Sequence, residues 1–468
     1  MFEEIALEFG LSATWTSEVA DWGKRVLLYR QYAEGNHRGN LTADMKKMLR
    51  VNDETEFNIN YCGAIVQTMA DRLKLAGVES DGDNKEAIAK WIDELMWFNA
   101  LPSLQMDVHE AVIRDGDTFV MVAYDNERQY STLTHELAWD GSTGVVPIYD
   151  LSNTVMIGAV KVWWENRATV DDDGKPVVQL EQRANVYTAN RVRKYWLSSW
   201  TLIEDIEWLV GELPIVHYRN NGRSRYWRGL SEIDNVLSLQ DSLNRTLASM
   251  TMTGEFSAFP VNVAIGFTPN GSVEPGITIV ATRKDAQGND IGLTREDFVD
   301  MKQLPASSLV PYIEQAHFIV EQMSQITRTP LAKTGGDSAS GESLKQKEIG
   351  LIAKVEKAQI RLGESWAWAV ELAHMVTMTY GRVNAPKLGR CMAKWEGAQI
   401  RNDAEVIANA LAVRDAIGDE AFLKLIAPVF GWDNQAVMDI LANKQRSTLA
   451  MLNGLNGFGT GGRVNQPI

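Results

Sequence analysis

The feature that most constrains this chain is a proline-free apolar stripe toward its C-terminal end. Leu344, Leu351, Val355, Ala358, Leu362, Trp366, Ala369, Ala373, Val376 and Tyr380 recur at steps of three, four and seven residues. That is the α-helical period, so the spacing predicts one helix of unusual length. About 40 residues at ~1.5 Å each would extend ~60 Å, longer than a small domain is wide. A rod of that length seldom serves one compact monomer. Gly350 and Gly363 lie inside the pattern. Each costs on the order of 1 kcal/mol relative to alanine, which predicts a kink or a close helix contact at one of them.

A second helical pattern precedes the first. Leu309, Ile313, Ala316, Val320, Met323 and Ile326 align on one face, with a cap near Ser308 and Pro311 allowed in the first turn. Between the two patterns runs a loop from Thr329 to Gly341, made of small and polar residues with Lys333 as its one cation. Glycines and small side chains let such a loop move, and one positive charge can touch a phosphate without trapping it.

Upstream, Ser231 reads as an N-cap, with Glu232 and Asp234 in the positive first turn of a helix through Ile233, Val236, Leu243, Leu247 and Met250. Pro260 has to end it. From Ser257 to Gln303 the chain is rich in turn formers around two strand-like runs, Val261 to Ile265 and Ile277 to Ala281. The two flanking helices are therefore expected as an antiparallel pair with a small β insertion at its tip.

Residues from about Thr16 to Leu101 read as helical: Val19, Trp22, Val26 and Tyr29 form one stripe, Ile59, Ala64, Ile65 and Met69 another, and Ile88, Trp91, Ile92 and Leu95 a third. A helix through Val108 and Val112 ends at Asp115-Gly116-Asp117. An antiparallel β region then runs to about Val216, with strands at Phe119 to Ala123, Val155 to Trp164, Val177 to Tyr187, Val192 to Leu197 and Leu202 to Leu209. After Tyr380, Cys391 to Glu396 is expected as a strand returning to that sheet, followed by helices at 403–417, 419–427 and 434–446. The glycine-rich end, 453–468, reads as flexible. The class is α+β.

Composition narrows function by exclusion. At 468 residues and 45% hydrophobic content the chain can build real cores. No stretch approaches ~20 uninterrupted apolar residues, and the start Met1-Phe2-Glu3-Glu4 is acidic where a signal peptide needs a basic one, so no membrane partner is expected. Cys62 and Cys391 are too few for a disulfide framework and are expected as buried thiols in a reducing cytoplasm. The net charge of −15 argues against tight gripping of nucleic acid, yet suits a surface along which DNA must slide.

Searches for chemistry return structural readings. Lys333-Thr334 lacks the glycines of a phosphate loop, so the chain is not expected to hydrolyse ATP. Gly336-Asp337-Ser338-Ala339-Ser340 misses the second glycine of a nucleophile elbow. The six histidines form no metal-binding pair, Asp171, Asp172 and Asp173 beside Gly174 lack the spacing of a calcium loop, and the fifteen tryptophans scatter as core and interface residues would. No cofactor, metal or catalytic residue is expected. Lys347, Lys354 and Arg361 recur every seven residues on the long helix, with Lys345 nearby. A solvated face balanced by glutamates and a DNA-steering stripe fit that pattern equally.

The order of parts is more specific than any one residue. Glu212-Leu213-Pro214-Ile215-Val216-His217-Tyr218 with Asn220-Asn221 leads to Gly229-Leu230-Ser231-Glu232-Ile233 and Leu239-Gln240-Asp241-Ser242-Leu243-Asn244, then to Phe259-Pro260. Ile326-Thr327-Arg328-Thr329-Pro330 and Ser340-Gly341-Glu342-Ser343-Leu344-Lys345 follow. In this order the chain resembles the portal proteins of tailed bacteriophages over nearly its whole length.

The resemblance implies a wing at 1–228 and 342–400, stem helices at 229–256 and 306–328, a β clip at 257–305, a tunnel loop at 329–341, a long kinked helix, a helical crown at 401–452 and a flexible tail at 453–468. It implies a ring of twelve copies at one capsid vertex of the virion, assembled in the host cytoplasm, with double-stranded DNA packaged and ejected through its channel. Lys333, Thr334, Gly335, Gly336, Asp337 and Ser338 become candidates for DNA contact, and Lys345, Lys347 and Lys354 for DNA steering. Arg283, Lys284, Asp285, Glu296 and Asp297 become clip candidates for meeting the terminase and later the head-completion adaptor. Major capsid and scaffolding proteins are the further partners it implies. A non-conduit scaffold or adaptor of the particle is the alternative reading.

Overall fold

The long stripe does form one helix of 40 residues, Gly341–Tyr380. Its stripe residues from Leu351 to Val376 are enclosed, with Trp366 and Val355 at 0% exposure. The rod is thus not a free strut: strands and helices of its own chain pack along it. The structure is a computed structural model that describes residues 2–37, 41–43, 46–47, 58–170, 175–222, 226–258, 262–265, 283–291, 300–303, 308–331, 341–381, 385–398, 403–432, 435–444 and 446.

Five helices and a strand open the chain: α1 (Phe2–Glu8), α2 (Trp15–Ala33), α3 (Tyr61–Ala70), β1 (Leu75–Ser80), α4 (Lys85–Phe98) and α5 (Leu101–Asp115). Two begin with side-chain caps, Asn60 accepting from Gly63 N–H at 2.8 Å and Asn84 from Ala87 N–H at 3.3 Å. The predicted stripes face inward on α2, α3 and α4, with Ala64 and Trp91 half-buried, while Ile59 precedes α3 and is 43% exposed. Next come β2 (Asp117–Asp125), β3 (Tyr130–Leu137), β4 (Gly144–Tyr149), β5 (Met156–Val170), β6 (Pro176–Tyr187), β7 (Arg191–Trp196), β8 (Thr201–Glu207) and β9 (Ile215–Arg219).

These strands make two antiparallel sheets where the sequence suggested one: β3-β2-β9 and β4-β5-β6-β7-β8. The five-stranded sheet buries Val160, Val162, Ala184 and Val186 in a cluster with Ile5 of α1 and Trp15, Val19 and Trp22 of α2. The three-stranded sheet lies against the long helix.

Helices α6 (Leu237–Ala258) and α7 (Val310–Thr327) pack on each other. Between them β10 (Asn262–Ile265) pairs antiparallel with β13 (Asp300–Gln303), and β11 (Arg283–Lys284) with β12 (Asp290–Ile291). The expected strand at 277–281 lies outside the described residues. Ser308 Oγ accepts from Val310 N–H at 3.3 Å, and Pro311 sits in the first turn of α7, as the sequence predicts.

The long helix is α8. Its special glycine is Gly363, where a Cβ would meet Trp395 Nε1 at 3.0 Å and Ala393 Cβ at 3.3 Å. The close approach is therefore to a strand, β14 (Cys391–Trp395), rather than to another helix. β14 does not rejoin either large sheet. It pairs antiparallel with β1, which lies within the stretch expected to be helical.

The chain divides into two compact units, 1–398 and 399–468. The second contains α9 (Asp403–Phe430), broken at Gly418 by φ 79° and ψ 166°, which matches the predicted division into two helices. Residues 435–444 are also helical, and the expected flexible end at 453–468 lies outside the described residues.

Candidate functional site

The segments at 212–221, 229–233 and 326–330 meet at one polar joint with α5 and α8, where His217, Asn220, Ser231, Glu232, Thr327 and Thr329 turn their side chains inward. On β9, His217 Nε2 lies 2.9 Å from Asp117 Oδ1 and its Nδ1 lies 3.0 Å from Tyr149 Oη, with the ring stacked on Phe119 at 4.5 Å. Burial pushes the His217 pKa down, outweighing the opposing pull of the Asp117 carboxylate, and burial pushes the Tyr149 phenol up to about 12. The imidazole is therefore neutral, donating from Nε2 and accepting the phenol proton at Nδ1. Asp117 Oδ1 also accepts from Gly229 N–H at 2.7 Å.

Two glycines allow this closeness. Gly116 adopts φ 88°, and a Cβ on Gly229 would lie 2.1 Å from Gly116 O. Asn220 N–H donates to that same carbonyl at 2.8 Å. Only backbone without side chains fits such an approach.

Glu232 is the centre of the joint. Its Oε1 accepts from Asn220 Nδ2 at 3.0 Å and Asn221 Nδ2 at 2.7 Å, and its Oε2 pairs with Lys354 Nζ at 2.9 Å. Glu232 and Lys354 expose only 7% and 12% of their side chains. Lys354 also donates to the Thr327 carbonyl at 2.6 Å, at the last turn of α7. Its ammonium is thus held by a carboxylate and a helix-end carbonyl of its own chain. Heptad spacing places Lys354 on the helix; it does not reveal what lies opposite.

Ser231 does not start the helix as expected. The regular helix α6 begins at Leu237, and the residues before it form turns. Ser231 Oγ donates to Arg114 O at 2.5 Å and accepts from Ile233 N–H at 3.2 Å, tying this segment to the end of α5. Further along, the fully buried Gln240 bridges Ile59 O at 2.6 Å and Tyr61 N–H at 3.0 Å. Asn244, also fully buried, accepts from Ile59 N–H at 3.0 Å, while Asp241 accepts from Tyr32 Oη at 2.6 Å.

The joint also fixes both approaches to residues 332–340. On one side Arg328 turns the chain with φ 52°, Thr329 N–H donates to Ser324 O at 3.1 Å, and Ser324 Oγ donates to Thr329 O at 2.7 Å. On the other side Glu348 of α8 pairs with Arg72 at 3.2 Å. The arrangement positions and braces. Among the described residues, the buried Asp117-His217-Tyr149 chain holds β9 through Asp117 Oδ1, Asp117 Oδ2 has no hydrogen-bond partner, and no group of three or more His, Cys, Asp and Glu is placed to hold a metal.

Of the residues singled out by sequence, Lys333, Thr334, Gly335, Gly336, Asp337, Ser338, Glu296 and Asp297 lie outside the described residues. Lys345 and Lys347 are on the backbone of α8, and Arg283 and Lys284 form β11. Asp285 closes the tight turn after β11, accepting from Gln287 and Asn289 N–H at 2.9 and 2.8 Å. Those backbone bonds, the one with Asn289 first, lower its carboxyl pKa. Asn220 and Glu232, which organise the joint, had been read as a motif and as a helix-start charge. Their neighbourhood in the sequence held the signal, without the contact.

The sequence matches the family model described as phage portal protein, SPP1 Gp6-like, over residues 25–448. The portal protein of Mycobacterium phage D29 is 24% identical over 344 residues, covering 68% of this chain and 64% of that protein. The portal protein of Mycobacterium phage L5 is 24% identical over 346 residues, covering 68% and 65%. The matched region thus spans less than two thirds of either relative. Among solved structures, a chain from the neck of an empty GTA particle aligns over 82% of this chain and 94% of its own, at 13% identity and a TM-score of 0.43. A chain from the neck of the native GTA particle, computed with C12 symmetry, aligns over the same shares at 14% identity and a TM-score of 0.43.

Proposed function

This chain belongs to the SPP1 Gp6-like phage portal proteins, and on that premise we propose that it forms the ring through which double-stranded DNA enters and leaves a capsid. The observation that carries the reading is the family match over 25–448. In this reading twelve copies surround the channel at one vertex of the virion, after assembly in the host cytoplasm. Helices α6 and α7 are the stem, the insertion at 257–305 is the clip, and residues 329–341 are the tunnel loop. Residues 1–228 and 342–400 are the wing, and 401–452 the crown.

The bracing on both sides of residues 332–340 supports the loop's role. A segment that meets moving DNA needs anchors that do not yield: Thr329 is tied to Ser324 of α7, Lys354 to Glu232 and to the end of α7, and Glu348 to Arg72. The clip, including Arg283, Lys284, Asp285, Glu296 and Asp297, is the proposed meeting place with the terminase and then the head-completion adaptor. ATP hydrolysis belongs to the terminase. Major capsid and scaffolding proteins surround the ring.

Electron microscopy of the purified chain tests the assembly: rings with a hole wide enough for a duplex are expected, and compact monomers at every concentration and salt would overturn it. Replacing Lys333 or deleting Gly335 and Gly336 tests the conduit separately. Packaging should fall while rings and particles keep their shape. Undiminished packaging would favour the non-conduit scaffold.

A further inference from the structure

Beside the joint lies a cleft of about 670 Å³ whose charge runs against that of the chain. Arg25, Arg328, Lys354, Lys357 and Arg361 line it, against the carboxylates of Glu232 and Asp234. Lys354 is matched by Glu232 at 2.9 Å, and Arg25 by Asp234 at 3.7 Å. Among the described residues, Arg328, Lys357 and Arg361 have no such partner. A protein of net charge −15 has therefore collected three uncompensated cations in one concavity.

The three are also held in place. Lys357 and Arg361 stand one turn apart on α8, whose opposite face is locked into the core by Val355, Ala358 and Leu362. Arg328 is the left-handed residue that ends α7, flanked by the buried Thr327 and Thr329, and its side chain runs 3.5 Å from where a Cβ on Gly350 would be. Cations fixed by a rigid frame lose less freedom on pairing than cations on mobile loops.

We propose that this cleft receives carboxylates of a second copy of the chain, an ionic latch between neighbouring subunits; this rests on the ring reading above. Two observations favour protein over nucleic acid as the occupant. The cleft wall includes Ile326, half exposed, and Ala353, and a mixed apolar and ionic surface suits a protein partner better than a phosphodiester strand. A ring also brings together copies that each carry −15, so local complementarity is needed where they touch.

The test is a triple variant of the full chain, Arg328→Gln, Lys357→Gln and Arg361→Gln, which spares the Lys354–Glu232 and Arg25–Asp234 pairs. Sedimentation velocity over a range of protein and salt concentrations reads assembly. The variant is expected to need about tenfold more protein to assemble, and to lose most of the salt sensitivity of the unaltered chain. Should the triple variant melt early, Lys357→Gln and Arg361→Gln singly are expected to shift assembly by about threefold each with an unchanged melting temperature. Unaltered assembly in all of these variants overturns the latch while leaving the ring intact. Unaltered assembly with weakened binding of double-stranded DNA also overturns it and gives the cleft to phosphate. A wild-type chain that never assembles overturns the ring reading, and the latch with it.

Discussion

Residues 1–398 and residues 399–468 are enclosed to very different degrees. In the first unit whole side chains as large as Trp366, Phe119 and Tyr218 are sealed from solvent, and buried polar groups such as Gln240 and Asn244 find partners. In the second, the buried apolar cluster among the described residues is Ala410, Phe422 and Ile426, while Leu411, Leu425, Phe430 and Met438 are each at least half exposed. With Ala427 and Val437 the described residues of this unit bury five apolar side chains, which offset little of the entropy lost in ordering long helices. The first unit can hold its shape alone, and the second is the softer of the two.

Three experiments press on that contrast. The largest effect is expected from Trp366→Ala. It removes a fully buried indole and leaves His109 Nε2 without its donor at 3.0 Å, for a loss of about 3–5 kcal/mol in denaturant titrations. Amide exchange within 403–430 should be unmoved, and slackening there would show that the two units share one folding transition.

A pH titration gives a similar or somewhat smaller effect. His109 is 1% exposed, donates from Nδ1 to Leu73 O at 2.7 Å, and burial pushes its pKa from 6.5 down to about 4. The unfolded chain takes up this proton near pH 6.5, whereas the folded chain resists until about pH 4. Its stabilising contribution is thus complete above pH 6.5 and drains away as pH falls through that window, by about 3 kcal/mol. His109→Gln should make the profile shallower, leaving the part that the buried His217 contributes. No histidine occurs in 399–468, so exchange there should not follow the same curve.

The smallest effect belongs to Phe422→Ala. At 9% exposure in a sparse cluster, Phe422 is expected to contribute about 2 kcal/mol, read as faster exchange in 403–430 with no change in the denaturant midpoint of the first unit. A lowered midpoint would mean that the larger unit leans on the smaller.

What the sequence disclosed follows the range of the interactions involved. The 40-residue helix was legible because its stripe is periodic and proline-free, and strands β5 to β8 because turn residues punctuate them. Ser231 carried every local sign of a helix start, yet its hydroxyl is drawn to Arg114 O across the fold, and the helix begins later. β1 was missed because Leu75–Ser80 is short and sits among helices, with nothing nearby to mark it. At the joint, the order Asn220, Glu232, Thr327 was readable as a motif. That Glu232 faces Lys354 was not, since no local pattern states which residue waits across a fold.

The pairing of β1 with β14 has a consequence for synthesis. Ser80 Oγ accepts from the N–H of Gly389, 309 residues later. At ~5–20 residues per second a ribosome needs about 15–60 s to deliver that partner. Through this interval the first strand must wait with an open edge. This seam of the larger unit closes only after Cys391–Trp395 has emerged, so a chain terminated before it presents neighbours with an unfinished subunit.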